Sequence, residues 1–159
     1  MRAAILHSAE AFGALAERWD ALASATDAGL FLSHRWLLAW WRAFHGVDEL
    51  WVFTVEDDAV EGAPLIAAWP LCLRAPRSGA LRVGELRVVG DLGGAATSDR
   101  SILCREGREL EACALLVEAL LGARGWDVLD VPTSRREIGE AMQRAIVGAG
   151  AKLDRSEQS

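Results

Sequence analysis

The sequence predicts a mixed α/β fold of the α+β kind: one largely antiparallel sheet flanked by about four helices. Three observations predict it. The first 45 residues carry apolar side chains at helical spacing, broken only around Thr26 to Gly29. From Leu50 to Cys104 the pattern shifts to short runs rich in β-branched and aromatic residues separated by polar or glycine turns. After Cys104 two helical segments enclose one short alternating run, giving the order β-α-α-β-β-β-β-α-β-α.

Ala3 to Leu6 is a short candidate strand. Ser8 is placed to cap a helix over Ala9 to Ala25, with Phe12, Leu15, Trp19 and Leu22 on one face. Ser33 is placed to cap a second helix, ended by His45 and Gly46, in which Trp36, Trp40 and Phe44 recur every four residues beside Leu37 and Trp41. Large aromatics at that spacing are read as core, and the stripe is wide enough to reach a docking seam. Leu50 to Val55 and Pro64 to Leu73 form a hairpin, and Pro70, having no N–H, implies a bulge or an edge position. Leu81 to Val89 and Ser101 to Cys104 are the next strands, separated by the long loop Gly90 to Arg100. Glu109 to Leu121 is helical, Trp126 to Val131 is a strand stopped by Pro132, and Glu137 to Val147 is the last helix. No linker divides the chain, so residues 1–152 read as one domain and 153–159 as a polar tail.

Apolar residues make up 52% and charged residues 25%, the balance of a globular chain. A net charge of −6 sets the bulk of the molecule against nucleic acid and anionic membranes. Arg74, Arg77, Arg82 and Arg87, interrupted by Glu85, are a local basic exception, read as a solvated hairpin surface or else as a face for an anionic ligand or partner. The longest uncharged apolar stretch, Ala63 to Leu73, has eleven residues and two prolines, so no membrane insertion is expected. Cys72, Cys104 and Cys113 lie in apolar runs without a C-x-x-C or a nearby histidine. They read as buried free thiols, with no metal site, in a cytoplasmic protein.

His7, His34 and His45 are read as isolated polar-face histidines, and the cluster of Glu56, Asp57, Asp58 and Glu61 as turn solvation. No catalytic residue is assigned, because no G-x-S-x-G elbow and no ordered Ser, His and Asp set is present. The loop Gly90-Asp91-Leu92-Gly93-Gly94 lacks the Lys-Ser/Thr of a phosphate loop and the G-x-G-x-x-G fingerprint. It reads either as a turn at a sheet edge or as a loop that brings Asp91, Ser98 and Asp99 to a ligand groove.

Several phrases together resemble the N-terminal half of the CelD-like acetyltransferases associated with cellulose and exopolysaccharide synthesis, within the GNAT acyltransferase superfamily. They are W-D-x-L at Trp19, F-L-S-H-R-W-L-x-A-W-W from Phe31, the Trp51–Val55 strand, Pro70-Leu71, E-L-R-V-V-G-D from Glu85 with Ser98-Asp99, and W-D-V-L-D-V from Trp126. The resemblance implies two GNAT-like halves in tandem, as in the Fem-type transferases, with acyl-CoA held by the second half. It places Asp91, Ser98, Asp99 and Trp40, or Trp41, on an acceptor groove for a carbohydrate or amino sugar. The family's CoA turn, Arg/Gln-x-x-Gly-x-Gly/Ala, is matched only from Arg87 to Gly90, since Leu92 replaces its last small residue. Val147 to Ala151 has the glycines but follows a helix instead of opening one. No cofactor is therefore expected in this chain, and acetyl-CoA or another acyl-CoA is expected only with a second half. The sequence ends at Ser159, about where that half is expected to begin. A second GNAT-like half or a homodimer partner is the expected neighbour. The alternative reading is a stand-alone, non-catalytic binding module of the same fold.

Overall fold

The computed structural model describes residues 1–26, 28–74, 83–90, 102–130 and 135–150. The elements follow the expected order: β1 (Arg2–Leu6), α1 (Ala9–Gly13), α2 (Ala16–Ala25), a 3-10 turn (Leu30–Leu32), α3 (His34–Phe44), β2 (Glu49–Glu56), β3 (Leu65–Arg74), β4 (Glu85–Val88), β5 (Leu103–Cys104), α4 (Glu109–Gly122), β6 (Val128–Asp130) and α5 (Arg136–Gly148). The sheet runs β1-β2-β3-β4-β6, with β5 paired to β3. All pairs are antiparallel except β4 with β6, which α4 joins as a crossover.

Strand alternation divides the core into two layers. Trp51, Phe53, Val55, Trp69, Leu71, Leu86 and Val88 face α4 and α5. Leu50, Val52, Leu65, Ala68 and Cys72 face the helices α1 to α3. A register shift at Val55/Glu56, where Val55 pairs Ala67 and Glu56 pairs Leu65, leaves Ile66 as the extra residue. Ile66 and Ala67 therefore face the same layer, against the period of two.

The expected first helix is two helices. Gly13 ends α1, and Leu15 N–H bonds to the Phe12 carbonyl at 3.0 Å, a tightened turn from which α2 starts again. Phe12, Leu15, Trp19 and Leu22 are nonetheless all buried, as their spacing predicts. Ser8 caps α1 as expected, its hydroxyl accepting from Ala11 N–H at 3.0 Å. Ser33 occupies the N-cap position of α3 but its hydroxyl does not cap. It turns back and donates to the Leu30 carbonyl at 2.6 Å, because the 3-10 turn before it presents that carbonyl first.

Pro70 is neither in a bulge nor on an outer strand. It lies in the interior strand β3, paired with Val52, and its carbonyl accepts from Val89 N–H at 2.8 Å on the opposite side. On that opposite side β4 pairs residues 71–74 and β5 pairs residues 67–68, so residues 69 and 70 face a break in the ladder. The missing N–H removes a donor where the neighbouring strand leaves the sheet, a local edge inside the sheet.

The acidic cluster is also more than a solvated turn. Glu56 is buried at the end of β2 and pairs with Arg2 at 3.1 Å and Arg18 at 2.9 Å. Arg18 also donates to the Ala63 carbonyl. Asp57 faces Arg108 at 3.7 Å, and Asp58 accepts from the Met1 ammonium at 2.8 Å. That hydrogen bond holds the Asp58 carboxyl below its ordinary value and the ammonium above its own. These ion pairs tie β1, α2 and α4 to the β2–β3 turn. No helix among the described residues is long and apolar enough to cross a membrane.

Candidate functional site

The parallel pair β4 and β6 interrupts an otherwise antiparallel sheet, and both strands end at the same edge, at Val88 and Asp130. Open α/β sheets hold ligands outside the carboxyl ends of such strands. Their amino ends are closed instead. Gly84 N–H donates to the Asp127 carboxylate at 2.8 Å, and Asp127 N–H donates back to the Gly84 carbonyl at 2.7 Å. A Cβ on Gly84 would lie 2.4 Å from the Gly125 carbonyl oxygen, so the two segments touch through bare backbone.

At the carboxyl end β4 runs into Gly90, with φ of +92°, and the Trp36 ring lies directly on it. A Cβ at Gly90 would lie 2.4 Å from Trp36 Cζ3. Replacing Gly90 with alanine is expected to cost about 1–3 kcal/mol, from strain at positive φ and from displacement of the ring. Urea unfolding with tryptophan emission checks both parts: a lower midpoint and a red-shifted native spectrum. An unchanged native spectrum would mean that Trp36 does not rest there.

Trp36 begins a ridge along one flank of α3. Phe31 meets it edge-on at 5.2 Å, and four residues on Trp40 lies 5.6 Å from Phe44. The buried stripe of α3 is His34, Leu37 and Trp41, not the Trp36–Trp40–Phe44 series. Trp36 and Trp40 lie about 130° and 90° round the helix from the centre of that stripe, and Phe44, though nearer in angle, is the last residue of α3 and is 65% exposed. Trp40 is half-buried, and its Nε1 is enclosed without a hydrogen-bond partner among the described residues. Asp91, Ser98 and Asp99, the other expected groove residues, lie outside the described residues. Trp36 was not singled out as a site residue. Its signal was its position four residues before Trp40, but only the tertiary structure sets it over Gly90.

The histidines divide by environment. His34 is buried, not on a polar face: its Nε2 lies 2.8 Å from the Phe12 carbonyl and its ring packs against Phe12 and Trp19. His45 stacks on Trp41 at 4.9 Å, and His7 meets Trp51 edge-on at 5.0 Å. No group of three His, Cys, Asp or Glu among the described residues is placed to hold a metal ion. Cys72, Cys104 and Cys113 are buried and unbridged, as expected. Burial, with Glu109 nearby, pushes the Cys104 thiol up to about 12. Burial, with Cys104 nearby, does the same at Cys113.

Of the basic exception on the hairpin, Arg74 and Arg87 lie among the described residues and both are paired with carboxylates. Glu85 lies 2.8 Å from Arg87 and 3.9 Å from Arg74, and Arg87 reaches Asp130 at 3.3 Å. Arg77 and Arg82 lie outside the described residues. A separate cleft of about 510 Å³ runs along α5, lined by Glu140, Gln143, Arg144, Val147 and Gly148. Its described lining is one face of one helix, with no converging groups. Comparison with protein-family models, with curated proteins and with solved structures finds no match.

Proposed function

We propose that this chain is one GNAT-like half of an acyltransferase, lining an acceptor-substrate groove and leaving the acyl-CoA to a second half. The observation that carries the reading is the parallel pair β4 and β6 with Trp36 fixed over Gly90 at its carboxyl end. Half-buried aromatic faces, as at Trp36 and Trp40, suit the apolar face of a sugar ring. The mixed, largely antiparallel sheet with helices on both faces agrees with the fold that the resemblance implies. The start of α4 supports the division of labour. Arg108 at its N-cap makes no side-chain cap, and Glu109 and Glu111 fill its first turn. Two carboxylates at a helix N-terminus oppose a pyrophosphate there.

A stand-alone binding module draws the same support from Glu109 and Glu111 and shares the groove. It differs in needing no second half.

Titrating the chain with glucosamine oligosaccharides while following tryptophan emission tests the groove, and calorimetry with acetyl-CoA tests the missing donor site. The expected result is a saturable emission change that Trp40→Ala removes, with no heat from acetyl-CoA. Micromolar acetyl-CoA binding, or a wild-type emission that ignores the sugar, overturns the proposal.

A further inference from the structure

Among the described residues, the helices α1 to α3 cover only part of their face of the sheet. Residues paired directly across neighbouring strands share a face. Leu50 pairs with Cys72, Cys72 with Arg87 and Arg87 with Asp130, so one row crosses from β2 to β6 on the side of those helices. Its first two members are buried apolar side chains beneath the helices. Its last two are charged: Arg87 is 23% exposed and Asp130 55%, with 3.3 Å between them. Two residues beyond Arg87, Val89 is buried on the same face, and Gly90 after it carries the Trp36 ring. At about 3.3 Å per residue, Arg87 and Gly90 stand about 10 Å apart along the chain. A charged ledge therefore runs from the aromatic edge of α3 out to the border of the sheet.

We propose that Arg87 and Asp130 form the floor of a carbohydrate site whose wall is Trp36, and that they set its specificity through the sugar hydroxyls. The inference rests on the groove reading above and adds the residues that hold the polar edge of the ligand. A pyranose has an apolar face for an indole and a rim of hydroxyls that both donate and accept. Asp130 accepts from such hydroxyls and Arg87 donates to them, and hydrogen bonds to charged groups are the stronger kind. The ion pairing itself argues against other occupants. Arg74 and Arg87 are matched by Glu85 and Asp130, so the ledge offers a phosphate or an acidic peptide no surplus of positive charge. An apolar partner would strip water from both charges without replacing it, whereas hydroxyls do replace it.

Titration with glucosamine and N-acetylglucosamine oligosaccharides, followed by tryptophan emission, tests it on Asp130→Asn and Arg87→Gln. Each variant is expected to bind both series about tenfold or more weakly than wild type, the scale of a hydrogen bond to a charged group. Asp130→Asn keeps the shape of an exposed side chain, so its circular dichroism and urea midpoint should match wild type and separate lost binding from lost folding. Glu140→Gln removes a similarly exposed carboxylate from α5, on the other face of the sheet, and is expected to bind as wild type does. Wild-type affinity in Asp130→Asn, or an equal loss in Glu140→Gln, overturns this inference and leaves the groove reading standing. Binding or loss confined to the cationic glucosamine series overturns it too, since Asp130 would then serve an ammonium and not hydroxyls. No emission change in the wild type with either series overturns both readings.

Discussion

Trp19→Ala is expected to leave little folded protein at room temperature. Trp19 is fully buried between α1 and α3: its ring meets Phe12 at 5.1 Å and His34 at 6.2 Å, and its Nε1 donates to the Leu32 carbonyl at 2.9 Å. Truncating a buried tryptophan costs about 3–5 kcal/mol, a large share of the total stability of a domain this size. Trp69 is equally buried, 6.0 Å from Phe53 in the other layer, yet its Nε1 finds no partner among the described residues. An enclosed, unsatisfied N–H costs about 1–3 kcal/mol. The two sites therefore part at the milder change to phenylalanine. Trp19→Phe loses ring area and orphans the Leu32 carbonyl, whereas Trp69→Phe loses similar area and removes an unsatisfied donor. Urea unfolding should show Trp19→Phe as clearly the less stable of the two. Equal midpoints would mean that the indole hydrogen bond at Trp19 contributes nothing net.

That contrast also marks how far the sequence could be read. The periodicities at Phe12–Leu22 and across β2 and β3 placed the elements because burial follows a local repeat. The rotation of α3 was not local. An i, i+4 ladder of aromatics looked like the core face, but His34, Leu37 and Trp41, spaced three and then four, stay nearer one line along the helix. His34 looked polar because its partner, the Phe12 carbonyl, lies 22 residues away. Glu56 looked like one more turn carboxylate until Arg2 and Arg18 met it from two other elements. Pro70 told that a ladder had to break, but the break lies in the neighbouring strand. The site was less legible still. Trp40 was identified by residue type, whereas the meeting of Trp36 with Gly90 needed β4 and α3 brought together across the sheet.

Raising the pH from 8 to 10 is expected to cost about 2 kcal/mol of stability through Cys104 and Cys113. Both thiols are fully buried, and burial raises each from 9.0 to about 12, chiefly because a thiolate in that apolar layer loses its hydration. The sign follows from proton binding. The folded chain holds these protons more tightly than the unfolded chain, so the stabilisation is complete below pH 9 and is lost as pH climbs toward 12. The background is small, because the chain has no tyrosine and Lys152 is its single lysine. The Met1 ammonium, raised by its hydrogen bond to Asp58, and Cys72 are common to both proteins compared. Arginine keeps its proton throughout the window. Urea unfolding at pH 7, 9 and 10 should therefore show stability falling in the wild type and falling much less in Cys104→Ala/Cys113→Ala. The variant starts from a lower value because it loses buried volume, so the comparison rests on the slope with pH. An equal slope in both proteins would place the alkaline loss elsewhere and mean that the two thiols titrate almost as they do in the unfolded chain.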